Sequence, residues 1–73
     1  MAIQIVMDHT GDTRYAFDPR NPEAPLEAEW RFNELTGTGF TAATKDRAGE
    51  PILTRQFDPR AEETAFFPRL VGG

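Results

Sequence analysis

No cysteine occurs among the 73 residues, so this chain must hold its fold by packing alone. At that length only about 60% of the unfolded chain's surface can be buried, close to the lower limit for an independent core. Such a chain supports one small two-layer domain and leaves no room for a separate catalytic domain. Disulfides and thiolate metal sites are excluded, and so is a thiol nucleophile.

Three prolines, Pro19, Pro22 and Pro25, fall within eight residues and divide the chain, because proline cannot donate to a sheet ladder. Before them, Ile3, Ile5 and Met7 alternate with Ala2, Gln4 and Val6, the period of a strand. Asp8-His9-Thr10-Gly11-Asp12 predicts a tight reversal with Gly11 at positive φ. From Thr13 to Phe17 the alternation resumes, with Tyr15 and Phe17 on one face and Arg14 and Ala16 on the other. The two runs predict an antiparallel hairpin.

After the prolines the chain favours a helix. Pro25 suits a first turn, where its missing N–H is harmless, and good helix formers run from there to Leu35. Glu23, Glu27 and Glu29 lie near the positive end of its dipole. Thr36-Gly37-Thr38-Gly39 ends it, with Gly37 the expected left-handed cap. At about 100° per residue, Ala24, Ala28, Phe32 and Leu35 fall within a sector of roughly 80°, which predicts the face that lies on the sheet. Leu26 and Trp30 fall nearly opposite. Either the proline-rich approach folds back over the indole or the helix starts later; the functional alternative is an exposed aromatic that anchors a partner.

Phe40, Ala42 and Thr44 alternate with Thr41 and Ala43 in a third strand. A polar turn, Lys45 to Glu50, leads to a fourth strand from Ile52 to Phe57, opened by Pro51. Leu53 and Phe57 share a face there with Arg55, an imperfect alternation that an edge strand tolerates. Asp58 as N-cap and Pro59 at the first helical position predict one helical turn through Glu63. Thr64 to Phe67 is the fifth short strand. FDPR occurs twice, at Phe17 to Arg20 and Phe57 to Arg60. Each copy reads as punctuation: a buried phenylalanine ends a strand and an aspartate followed by proline turns the chain.

The fold class is therefore α+β. One antiparallel sheet with one main helix across its face is the economical arrangement, with the first and last strands side by side at its centre. The element order, ββαββ, a short helical turn and β, resembles the β-grasp of ubiquitin-like proteins. RLVGG, Arg69 to Gly73, is similar to the arginine, leucine and diglycine tail of ubiquitin, and AFFPRLVGG resembles the end of the molybdopterin-synthase small subunit and related sulfur carriers. The likeness in sequence covers about the last ten residues. Two features depart from it: Arg60-Ala61-Glu62-Glu63 stands where the sulfur carriers usually show an acidic-glycine turn, and Lys45 is the only lysine.

This resemblance implies a β-grasp body over residues 1–67, with a mixed sheet of four to five strands, and an extended tail over residues 68–73. It also implies a chemistry. The Gly73 carboxylate would be adenylated by an E1-like enzyme that uses ATP and Mg, for sulfur transfer or conjugation to protein. Gly72 and Gly73 suit a narrow channel, since residues without Cβ permit close backbone approach. Arg69 would meet acidic groups at its mouth, and Leu70 and Val71 would fill apolar subsites as an extended peptide does in a groove. Residues 68–73 span about 20 Å when extended. Self-conjugation would use Lys45 or the terminal amine. The partners implied are the E1-like adenylating enzyme and a synthase or protein substrate. Two terminal glycines also fit a frayed end or a cut linker.

Composition excludes other classes. The net charge of −4 and the scattered arginines speak against nucleic-acid binding. No stretch approaches the roughly 20 apolar residues of a membrane span, and the opening MAIQIVMD lacks a basic leader, so the expected location is the cytoplasm. Serine is absent, and no phosphate loop occurs. Asp8, His9 and Asp12 would be the residues of a metal or acid–base site, but turn aspartates commonly bond their own backbone and a second histidine is lacking. Glu62 and Glu63 are adjacent and expected to be solvated. The chain is not expected to be an enzyme or to bind a cofactor itself. The alternative to the carrier is an interaction module that uses Trp30 and the helix, or an edge strand.

Overall fold

The computed structural model describes residues 1–69. Its first two strands, β1 (Ala2–Asp8) and β2 (Gly11–Phe17), form the antiparallel hairpin in a register running from Ala2 opposite Phe17 to Asp8 opposite Gly11. Gly11 takes φ +120°, a value that side chains rarely tolerate, and the Thr10 N–H donates to Asp8 Oδ1 at 2.8 Å. The proline segment then closes on itself. Asn21 accepts from the Ala24 N–H through its carbonyl at 3.2 Å and from the Glu23 N–H through Oδ1 at 3.1 Å, which sets the start of the helix.

Helix α1 spans Ala24–Gly37, with Pro25 in its first turn. The expected cap is displaced by two residues. Gly37 is helical and has no positive φ; Thr38 closes the helix, its N–H and hydroxyl both donating to the Leu35 carbonyl at 3.1 Å, and Gly39 at φ +102° makes the reversal. The threonine supplies the capping hydrogen bonds, so the left-handed residue is needed only where the chain turns into the sheet.

Strand β3 (Phe40–Lys45) pairs with β4 (Pro51–Thr54) across a turn in which Asp46 Oδ1 accepts from the N–H groups of Ala48 and Glu50, each at 2.9 Å. β4 ends at Thr54, short of the expected Phe57. Thr54 Oγ1 donates to the Gln56 carbonyl at 2.9 Å, a local bond that diverts the chain from the ladder. The expected helical turn at Asp58 is also absent: Asp58 Oδ1 accepts from the Arg60 N–H at 2.9 Å, its carbonyl from the Ala61 N–H at 3.2 Å, and β5 (Glu63–Pro68) begins at once. Too few residues lie between to complete a helical nucleus.

The five strands form one sheet in the order β2-β1-β5-β3-β4. It is mixed, as the resemblance implies, rather than wholly antiparallel: β1 and β5 run parallel, with Ile3 opposite Glu63 and Val6 opposite Phe66, and the other pairs are antiparallel. One helix on a five-stranded mixed sheet of this order is a β-grasp-like α+β architecture.

The core lies between α1 and the face of the sheet bearing Val6, Ala42 and Phe66, with Phe32 pressed into it from the helix. Phe32 and Phe66 meet edge-to-face with ring centroids 5.7 Å apart. Ala28 and Phe32 are buried and Ala24 and Leu35 half-buried, as the helical spacing predicts. The two FDPR segments converge. Asp18 accepts from the Arg20 N–H as Asp58 does from Arg60, and Phe17 and Phe57 approach to 6.5 Å, with Phe57 also 6.0 Å from Phe32. Phe57 performs this from a loop, because β4 has already ended.

Candidate functional site

β5 is the middle strand of the sheet, held by β1 on one side and β3 on the other. Apolar residues with few charges suit that position, and Thr64, Ala65, Phe66 and Phe67 supply them. The strand runs one residue past its expected end, to Pro68 opposite Phe40, and the Arg69 N–H donates to the Gly39 carbonyl at 2.8 Å. Gly39 is therefore the hinge between helix and sheet as well as the residue that receives the end of β5. Arg69 itself is exposed. Leu70, Val71, Gly72 and Gly73, the residues on which the tail chemistry depends, lie outside the described residues.

Lys45 stands at the other end of β3. Its Nζ lies 3.2 Å from Glu63 Oε2, an ion pair across the β3–β5 ladder, and its side chain is 59% exposed. Five residues of strand, about 17 Å, separate it from Phe40 and hence from the Arg69 end. The structure does not bring these two together. Glu63 is half-buried and paired, whereas adjacent Glu62 is exposed.

Trp30 settles one of the open alternatives. Its side chain and that of Leu26 are each 66% exposed on the side of α1 away from the sheet. The proline-rich approach does not cover the indole, because Asp18, Asn21 and Arg20 spend their hydrogen bonds within the segment itself. The helix does not start later either, since it begins at Ala24. Two shallow hollows flank the indole: Leu26, Glu27 and Arg31 line one, and Asn33, Glu34, Gly37 and Thr38 the other.

On the inner side of the same helix is an arrangement the sequence analysis missed. Gln4, almost fully buried in β1, donates through Nε2 to the Ala28 carbonyl at 3.0 Å and accepts from Arg31 Nη1 through Oε1 at 2.9 Å. The Arg31 guanidinium lies 3.9 Å from the centroid of the Tyr15 ring. Gln4 interrupts an apolar strand and shares its face with Tyr15 across the hairpin; that polar residue at a core position was the available signal.

The turn residues Asp8, His9 and Asp12 are exposed. Asp8 is occupied locally: the Thr10 hydroxyl and then the Thr10 N–H bond its carboxylate and hold it below the usual aspartate range. Asp18 is held low in the same way by the Arg20 N–H and side chain. Among the described residues, no three His, Asp or Glu side chains gather as metal ligands would. No helix among the described residues is long and apolar enough to cross a membrane.

No family model matches the chain, and neither curated proteins nor solved structures yielded a match. The functional reading therefore stands on the residues and their placement.

Proposed function

We propose that the chain is a ubiquitin-like carrier or modifier whose C-terminal carboxylate is activated by an E1-like enzyme. The observation that supports this reading most directly is the setting of β5. The sequence reaches Leu70-Val71-Gly72-Gly73 straight from the central strand of a β-grasp-like sheet, after a last backbone hydrogen bond at Arg69. Four residues beyond that point reach at most about 14 Å, less than the span counted from Pro68.

The carboxylate oxygen of Gly73 attacks the α-phosphorus of ATP, and pyrophosphate leaves with the electrons of the broken P–O bond. A sulfur nucleophile then adds to the activated carbonyl, and AMP departs. ATP and its Mg belong to the partner enzyme. Gly72 and Gly73 allow the backbone to approach the nucleotide closely, and Arg69, Leu70 and Val71 meet the channel. The carrier itself performs no catalysis. Incubation with ATP and an adenylating enzyme from the same source is expected to give pyrophosphate exchange that deletion of Gly72 and Gly73 abolishes. Equal exchange by the deleted protein would sink this reading.

The exposure of Trp30 favours a second reading, in which the protein also holds a partner without covalent change. In self-conjugation Lys45 and the terminal amine are the only acceptors in this sequence, and a Lys45→Arg variant that leaves one acceptor, read by mass spectrometry, tells them apart.

A further inference from the structure

The outer face of α1 combines an apolar stripe with charge of one sign. Leu26 and Trp30, four residues apart, lie on one line of the helix. Glu23, Glu27 and Glu34 border the stripe on one side and Glu29 on the other, and all four are exposed. Among the described residues the two ion pairs join Arg20 with Asp18 and Lys45 with Glu63, so none of these glutamates has a cation at salt-bridge distance. Arg31, the one basic residue on the helix, also lines the hollow beside Leu26 and Glu27, but its guanidinium is committed to Gln4 and to the Tyr15 ring. The hollow beside Trp30 is open at Gly37, where even an added Cβ would meet nothing within 4 Å.

Trp30 and Leu26 lie exposed side by side as one apolar patch, and tryptophan is among the side chains most enriched in residues that dominate binding. Charge decides what it is used on. A second copy of the chain approaching about a two-fold axis would set this acidic rim against itself, which like-charge repulsion opposes. Anionic lipid and nucleic acid are repelled for the same reason.

We infer that the Leu26–Trp30 face of α1 docks a segment of a partner protein that carries apolar side chains flanked by lysine or arginine. From Glu23 to Glu34 the face is about 16 Å long, which fits three turns of helix or five residues of extended chain. The inference rests on the partner reading of Trp30 and is independent of the tail.

The test uses the full chain and two capped peptides, one amphipathic with a leucine and phenylalanine stripe bordered by lysine and arginine, the other identical but with glutamate in place of each basic residue. The basic peptide is expected to bind saturably at low salt, to shift Trp30 emission to the blue and to weaken as salt rises. Leu26→Ala and the double change Glu27→Lys/Glu34→Lys, each confirmed folded by circular dichroism, are expected to weaken binding about tenfold or more. The protein lacking Gly72 and Gly73 is expected to bind as the full chain does, so loss of adenylation and loss of docking are read separately. Absence of saturable binding, equal binding of the acidic peptide, or affinity unchanged in both variants would overturn the assignment.

Discussion

Gln4 and Trp30 invert what their residue types suggest, since the amide is buried and the indole is exposed. Replacing Gln4 by alanine removes its bonds to Ala28 and Arg31 and leaves a void under the helix, an expected loss of about 2–3 kcal/mol in urea unfolding. Gln4→Leu refills most of that volume and is expected to cost less. Trp30→Ala removes little packing in the isolated protein, since two-thirds of the side chain is exposed, and its stability is expected to stay within about 0.5 kcal/mol of the wild type. The Trp30 variant would thus separate binding from folding, which a core substitution cannot do. The helical spacing of the sequence placed Trp30 opposite Phe32, but whether another segment covered it depended on how the proline loop closed. That loop satisfies its own hydrogen bonds at Asp18 and Asn21 and so has no need of the indole.

At the level of elements the turns carry the clearest expectations. Gly39 and Gly37 should respond oppositely to alanine. Gly39→Ala forces a side chain into φ +102° and is expected to cost at least about 1 kcal/mol, whereas Gly37→Ala adds a helix former in open space and is expected to add about 0.5 kcal/mol. Guanidinium melts of the two variants decide it. The aspartate turns contribute to the acid limb. Asp8 and Asp18 have folded values below the usual 3.8, so their contribution is present above that value and is lost as pH falls through the lower folded values. Stability is expected to be level from neutral pH down to about 5 and to drop below about 4. Asp8→Asn, which removes one of these two titrations, is expected to lessen that drop. The strand and helix positions were legible from period 2 and period 3.6, but the ends of α1 and β4 were not. Both ends were decided by a threonine hydroxyl, Thr38 on the Leu35 carbonyl and Thr54 on the Gln56 carbonyl, in competition with the regular ladder.

Over the whole molecule, six phenylalanines and one helix must supply most of the cohesion. At 0.05–0.15 kcal/mol per residue the total stability is roughly 4–11 kcal/mol, and truncating fully buried Phe66 to alanine removes about 3–5 kcal/mol of it. Phe66→Ala is therefore expected to lose a large part of its stability, read as a lowered urea midpoint by circular dichroism, while Phe66→Leu loses less. The two FDPR turns were legible as turns forty residues apart, yet nothing in their spacing says that Phe17 meets Phe57 and that Phe57 meets Phe32. The sequence by itself determined the α+β class, the hairpin, the helix and its buried face, and the apolar strand at the end of the chain, because each follows from local period and backbone chemistry. The tertiary structure decided that the end of β5 at Arg69 is held to Gly39, that Lys45 stands at the far end from it, and that Trp30 is left in the open. Those are relations between residues distant in sequence, and they follow from which surfaces bury each other when β1 and β5 pair.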